Sequence, residues 1–352
     1  MGNKIIKKFS KLANDYKDKE PDEKFFQQLS LLTSKIRGQK KQDDTYGQAK
    51  HSKDLVGETL EKFQMMQKNN YQSYLKTGFK EYDKITKGLA KGELVVIGSR
   101  PGVGKTALMV QLASNIARKN ETVLFFSFDL TQDKIITRLL ACKSGISTYK
   151  IEELKLNNKD KAKLMDASGH IASLPLFLID TPETNVPDFI GQCRQVFEKI
   201  KPDIVFIDYL QLINDIHKNK NRKRELTFLM CELKSLARSF DIAIVMGSQL
   251  NRSMESRGGS KRPQLNDLFE GEIIEQYADK VILLYRPGYY GFDFDENGSS
   301  SAGLIELIIA KNNNGAVGTG RIKHDILFTQ LSDFDSLNNN ITISDDELRD
   351  ML

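Results

Sequence analysis

The chain lacks any run of about 18 apolar residues, so no membrane-spanning helix is expected. It also lacks a recognisable leader: Lys4, Lys7 and Lys8 precede neither an apolar segment nor a small-residue cleavage site. Ile6 stands where N-myristoylation requires Ser or Thr. A soluble, cytoplasmic protein with no membrane association is the expectation. Cysteine is scarce, and Cys142, Cys193 and Cys231 are odd in number, widely spaced and set among apolar or helix-forming neighbours, which points to free thiols in a reducing compartment. Histidine is scarce as well. His51, His170, His217 and His324 show no metal-ligand spacing with one another or with the cysteines, so no zinc site is expected. Neither sign of charge dominates: 52 Lys and Arg against 47 Asp and Glu leave a net charge of +5, which permits an acidic polymer as partner without demanding one.

What is present is concentrated first in residues 94–106. The apolar, β-branched run Leu94-Val95-Val96-Ile97 breaks into the turn Gly98-Ser99-Arg100-Pro101-Gly102-Val103-Gly104, and apolar residues then recur at helical spacing from Ala107 to Ala117. Strand, loop and helix in that order are the context of a phosphate-binding loop. Gly102 and Gly104 let backbone N–H groups turn inward around phosphates, and the following helix presents its positive end. Lys105 can reach the outer phosphates, and the Thr106 hydroxyl can ligate Mg²⁺. Ser99 occupies the position where the usual pattern begins with Gly. ATP with Mg²⁺ is therefore the expected ligand, cradled by Ser99, Arg100, Pro101, Gly102, Val103, Gly104, Lys105 and Thr106.

With 39% hydrophobic residues over 352 positions there is material for a core. Residues 1–53 are rich in Lys, Gln and Asp and read as a helical or flexible N-terminal region. In residues 54–75, Leu55, Thr59, Leu60, Phe63 and Met66 fall on one helical face, predicting a linker helix between Asp54 and Asn69 that buries this face on its own core or on a neighbouring subunit. Residues 76–330 alternate apolar strands (Thr122 to Phe128, Leu174 to Ile179, Ile204 to Ile207, Ile242 to Met246, Lys280 to Tyr285, Leu304 to Ala310) with helices (Asp133 to Ser144, Pro187 to Ile200, Glu225 to Phe240). Such alternation predicts an α/β fold with a mostly parallel sheet covered on both faces and ligands beyond the strands' carboxyl ends. Residues 331–352 read as an acidic C-terminal tail.

The second chemical element is Asp203-Ile204-Val205-Phe206-Ile207-Asp208. Four apolar residues ending in an acid place Asp208 at a strand's carboxyl end, where it can meet the Mg²⁺ of Thr106. Asp129 follows Phe128 at the equivalent end of another strand and can orient the attacking water. Gln249 closes the next strand and can sense a γ-phosphate. Two basic stretches leave strand ends: Lys218, Lys220, Arg222, Lys223 and Arg224 after Asp208, and Arg252, Arg257, Lys261 and Arg262 after Gln249. They are candidate contacts to nucleic-acid phosphates, the alternative being a solvated face.

From Lys76 to Phe328 the chain resembles the RecA-like core of the bacterial replicative DNA helicases of the DnaB family. The resemblance rests on Thr77-Gly78-Phe79, Asp83 and Gly88-Leu89 before the phosphate loop, on Arg100-Pro101 inside it, and on Asp208-Tyr209-Leu210-Gln211-Leu212. Leu233-Lys234-Ser235-Leu236-Ala237, Ser248-Gln249-Leu250-Asn251-Arg252, Ile274-Glu275-Gln276-Tyr277-Ala278-Asp279 and Lys311 with Gly315 complete it. It implies a RecA-like P-loop NTPase, preceded by a helical arm, that forms a hexameric ring around single-stranded DNA and hydrolyses ATP between subunits. A primase or a helicase loader would be a further partner, and Lys311 would act catalytically at the neighbour's site. Four departures accompany the resemblance. Asp129 stands for the family's catalytic Glu, and Asn313 for its arginine finger. Phe269 and Glu272 stand for an Arg and a Gly in the pore loop, and a short Lys-rich segment stands for the globular N-terminal domain. Two functions follow: an ATP-driven DNA helicase, or a RecA-like nucleotide-binding assembly or accessory protein with weak turnover.

Overall fold

The computed structural model describes residues 51–68, 74–180, 184–213, 222–259, 261–296, 298–325 and 330–334. The chain divides into two compact units, residues 1–71 and 72–352. In the first, α1 (Ser52–Lys68) forms where the helical spacing places it. Leu55, Val56 and Leu60 are 44%, 57% and 55% exposed, so this apolar stretch is not buried within its own unit. The Phe63 and Met66 side chains, and residues 1–50, lie outside the described residues.

The second unit begins with a two-stranded ribbon, β1 (Tyr74–Leu75) and β2 (Leu89–Ala90), flanking α2 (Lys80–Thr86). There follow β3 (Leu94–Ser99), α3 (Lys105–Ala117), β4 (Val123–Ser127), α4 (Gln132–Ser144), α5 (Thr148–Glu152), α6 (Asn158–Ala172), β5 (Leu176–Asp180), α7 (Val186–Ile200) and β6 (Ile204–Asp208). The chain continues through α8 (Arg222–Ser239), β7 (Ala243–Gln249), α9 (Gly271–Tyr277), β8 (Lys280–Tyr285), β9 (Leu304–Asn312), β10 (Gly318–Asp325) and β11 (Gln330–Asp333). Nine strands form one sheet in the order β11-β10-β9-β8-β3-β7-β6-β4-β5. The pairs from β8 across to β5 are parallel, whereas β9, β10 and β11 join antiparallel.

Successive strand residues point to opposite faces, so a strand buried on both sides is apolar throughout. Val95, Ile97, Phe125, Phe206 and Val245 pack on the face covered by α3 and α4. Their sequence neighbours Leu94, Val96, Phe126, Ile207 and Met246 pack on the face covered by α7, α8 and α9. Phe125 and Phe206 stack at 5.8 Å across paired strands, and Phe126 meets Phe189 of α7 edge-on at 5.3 Å.

Several elements differ from the sequence-based expectation. α5 and α6 fill residues 148–172, with Asn157 and Asp160 forming a capping box at the start of α6. The expected strand Leu174 to Ile179 is β5, shifted to Leu176–Asp180. The second unit's sheet also extends past residue 330: Leu331 of β11 is buried and the Asp333 carboxylate accepts from the Lys80 N–H at 2.8 Å.

Candidate functional site

β3, β4, β6 and β7 all end at one rim, where turns release the chain above the buried strands. Ser99 ends β3, buried, and its hydroxyl donates to the Arg100 carbonyl at 3.0 Å. Beyond it the loop turns through Gly102 and Gly104, whose φ of 78° and 119° lie in the region that favours glycine. The Val103 side chain is fully buried in the core and anchors the loop from below. The Arg100 guanidinium donates to Glu255 at 2.6 Å and to the Leu250 carbonyl at 2.8 Å.

A cleft of about 360 Å³ opens above this loop, lined by Ser99, Arg100, Pro101, Gly102, Gly104, Lys105, Thr106 and Ala107, with Asp129, Arg138, Tyr209, Gln249 and His324 opposite. Three strands, β3, β4 and β7, thus bring together the predicted Lys105, Thr106, Asp129 and Gln249. Asp208, 1% exposed, lies beneath them. Its carboxylate accepts from the Lys105 ammonium through one oxygen and from the Thr106 hydroxyl through the other, at 2.5 Å. The Lys105 ammonium also lies 4.7 Å from the centre of the Tyr209 ring.

The Thr106 hydroxyl and the Asp208 carboxylate are hard oxygen donors of the kind Mg²⁺ takes, beside a helix N-terminus open to phosphate. Among the described residues no group of three or more His, Cys, Asp or Glu forms a metal cage, and a Mg²⁺ that keeps water and phosphate ligands needs none.

Gly247 is what allows this trio to close. A Cβ added there would sit 2.9 Å from both Asp208 Oδ1 and Lys105 Nζ. Gly247→Ala is therefore expected to displace the Lys105 ammonium, and any ATP turnover at this cleft should fall at least tenfold, about 1.4 kcal/mol of barrier, while circular dichroism stays native. Unchanged turnover would show that the trio relaxes without cost.

Sequence reasoning missed Arg138, Tyr209 and His324 on the cleft, and the segment that follows β8. There the Tyr289 hydroxyl donates to the Pro101 carbonyl at 3.1 Å, and its ring lies over Gly102. His324, on β10, is 9% exposed and its Nδ1 finds no partner among the described residues. Burial first, and the nearby Arg286 guanidinium second, depress its imidazole to about 4. A histidine held neutral below its unfolded value contributes stability that is complete above about 6.5 and lost as pH falls towards 4. Between pH 7 and pH 5 the wild type should lose about 2 kcal/mol more than His324→Gln, read from urea midpoints. Equal losses in the two proteins would remove His324 as the cause.

Other predicted residues lie off the cleft. Lys311, on β9, pairs with Val281 near the start of β8 and donates its ammonium to the Glu275 and Ala278 carbonyls at the end of α9. Arg257 is bound to the buried Asp267, and Arg262 to Glu306 at 2.6 Å, so these two charges are neutralised inside the chain. Lys223, Arg224 and Arg252 are exposed, Arg222 and Lys261 partly so, and Phe269 is 40% exposed. Lys218 and Lys220 lie outside the described residues.

Residues 74–333 match the DnaB-like helicase C terminal domain. The chain is 36% identical over 276 residues to the replicative DNA helicase DnaB of Geobacillus stearothermophilus, covering 78% of this chain and 60% of that protein. A probable replicative DNA helicase of Trieres chinensis is 35% identical over 310 residues, 87% of this chain and 66% of its own length. The chain thus spans about three fifths to two thirds of the length of these relatives. A solved DnaB-like replicative helicase, studied with its interactions with primase, superposes with a TM-score of 0.72 at 27% identity, covering 95% of this chain and 76% of that one. The family match takes in well over half of the residues, and this chain belongs to the DnaB-like helicase C-terminal domain family.

Proposed function

We propose that the protein is an ATP-driven, ring-forming motor on single-stranded DNA, a replicative helicase working in the cytoplasm with Mg²⁺-ATP bound between subunits. The observation that carries this reading is the division of the chemistry between two ends of one sheet. Lys105, Thr106, Asp208, Asp129 and Gln249 gather at the carboxyl ends of the parallel strands. Lys311 and the exposed Asn313 sit near the amino ends, level with the start of β8. Val281 lies opposite both Val96 and Lys311, three residues before Ser99, on the order of 10 Å down the strand. A hairpin at that end cannot serve its own cleft, but in a closed head-to-tail assembly it faces the cleft of the next copy.

Within this reading Lys105 and Thr106 hold the phosphates and Mg²⁺, Asp208 orients both, Asp129 takes the proton of the attacking water, and Gln249 senses the γ-phosphate. Mg²⁺ neutralises charge on the transferred group when bound. Asn313 supplies no charge at the interface, so basal turnover is slow for such a motor. The exposed Leu55, Val56 and Leu60 of α1 suit docking on an adjacent subunit. A primase or a helicase loader is the further partner. A non-catalytic accessory role is less well supported, because the cleft keeps its phosphate, metal and water-orienting groups together.

Single-stranded DNA should stimulate ATPase activity, and neutralising Lys223, Arg224 and Arg252 together should flatten the salt dependence of binding. Each lost phosphate contact removes about 0.7 from the slope of log K against log salt, so a drop of about 2 is expected. An unaltered slope with no stimulation would refute the DNA-motor reading.

A further inference from the structure

The hairpin Lys311–Gly315 is polar, exposed at Asn313 and Asn314, and carries no apolar side chain that could pin it to the sheet. Its root nevertheless runs into a buried ionic network. Lys280, the first residue of β8, and Glu93, just before β3, are 1% and 3% exposed and lie 3.1 Å apart. The Lys280 ammonium also donates to the Gly88 carbonyl at 3.0 Å. Glu93 Oε2 accepts from the Ala90 N–H at 3.2 Å, and Glu93 Oε1 accepts from the Asn314 side-chain amide at 2.6 Å. The Asn313 N–H donates to the Asp279 carbonyl at 2.9 Å, next to Lys280.

A buried ion pair offers little stability over apolar residues of the same volume, since desolvating both charges offsets their attraction. Stability alone therefore does not account for this pair. What an apolar pair could not do is hold an amide. Glu93 turns a carboxylate oxygen towards the surface, and Asn314 is the hairpin residue that reaches it. Lys280 holds that carboxylate in place from below, and ties it to the ribbon β1–β2 through Gly88.

We infer that Glu93 and Lys280, acting through Asn314, are the positioning residues of the hairpin that serves the neighbouring subunit's nucleotide. This rests on the reading of the hairpin as acting in trans. None of the three touches nucleotide. They fix where Lys311 and Asn313 stand when a second copy of the chain packs against them, so their loss appears in the rate of the chemical step and not in nucleotide affinity.

The test uses the full chain. Asn314→Ala, at an exposed position, should lower kcat for ATP at least fivefold while KM and the thermal stabilisation by Mg²⁺-ATP stay within twofold of wild type. The double variant Glu93→Leu/Lys280→Met, which keeps volume and removes both charges, should show the same loss. Mixing supplies the decisive readout. Subunits with Asn314→Ala have a sound cleft and a loose hairpin, and Lys105→Ala subunits have the reverse. Together they should recover at least half of the wild-type rate per sound cleft, which a defect confined to the variant's own subunit would not do. Lys311→Ala mixed in the same way is the control. If Lys311→Ala is rescued and Asn314→Ala is not, or if Asn314→Ala turns over like wild type, the positioning role is wrong although the trans reading stands. If neither is rescued, the trans reading itself fails and the positioning role with it.

Discussion

Lys105→Ala is expected to abolish both ATP turnover and the thermal stabilisation that Mg²⁺-ATP confers, while the fold survives. The ammonium lies at the base of the cleft and above the Tyr209 ring, where it can reach the outer phosphates of a nucleotide seated on the loop. A ligand at a hundred times its Kd stabilises the native state by about 2.7 kcal/mol, which for a domain of this size is a shift on the order of 5 °C or more. That shift should vanish. The apo variant should also melt lower than wild type, because Asp208 stays buried with only the Thr106 hydroxyl as side-chain partner among the described residues, and stripping one member from a buried pair costs about 3–5 kcal/mol. The quantity that decides is thus the ligand-induced shift, measured by scanning fluorimetry with and without Mg²⁺-ATP. Stabilisation as strong as in wild type would mean that the loop between Ser99 and Thr106 holds no phosphate.

The sequence made this half of the site legible because local order carries it. A β-branched run, a Gly-Lys-Thr turn and an amphipathic helix must be contiguous to cradle a phosphate, and Asp208 and Gln249 stand at strand ends that the apolar runs themselves delimit. The strand Lys280 to Tyr285 forms with its expected bounds for the same reason, being apolar on both faces. His324 and Tyr289 were not legible, since β10 reads Gly-Thr-Gly-Arg-Ile-Lys-His-Asp, with too few apolar residues to announce a strand. Its partner β9 and the edge strand β11 supply the pairing that its composition does not. Arg257 and Arg262 show the opposite failure. As text they extend a basic stretch, but folding delivers Asp267 and Glu306 to them, and burial that raises the Glu306 carboxyl is countered first by Arg262.

Asn313→Arg is expected to raise kcat at saturating ATP by tenfold or more, with KM for ATP changing less than threefold. The position can accept the change, because Asn313 is exposed and its recorded bond, from its own N–H to the Asp279 carbonyl, belongs to the backbone. An arginine reaching into a neighbouring cleft stabilises charge on the transferring phosphoryl group, a term worth about 10³ to 10⁵ in rate where the geometry is ideal. A hairpin shaped around asparagine should realise only part of that, which sets the lower figure. Asn313→Lys should give a smaller gain, since a point charge lacks the planar fork that spans two phosphate oxygens. Lys311 does not already fill this role in the isolated chain, where its ammonium is held by the Glu275 and Ala278 carbonyls at the end of α9. Lys311→Ala should therefore do two separable things: lower turnover in the assembled protein, and cost about 1 kcal/mol of stability through two lost hydrogen bonds. Steady-state ATPase assays on assembled wild type and the three variants, with light scattering to verify assembly, decide the matter. If Asn313→Arg assembles like wild type and turns over no faster, position 313 does not face the γ-phosphate, and the charge that completes the neighbour's site must be sought on another part of the subunit surface.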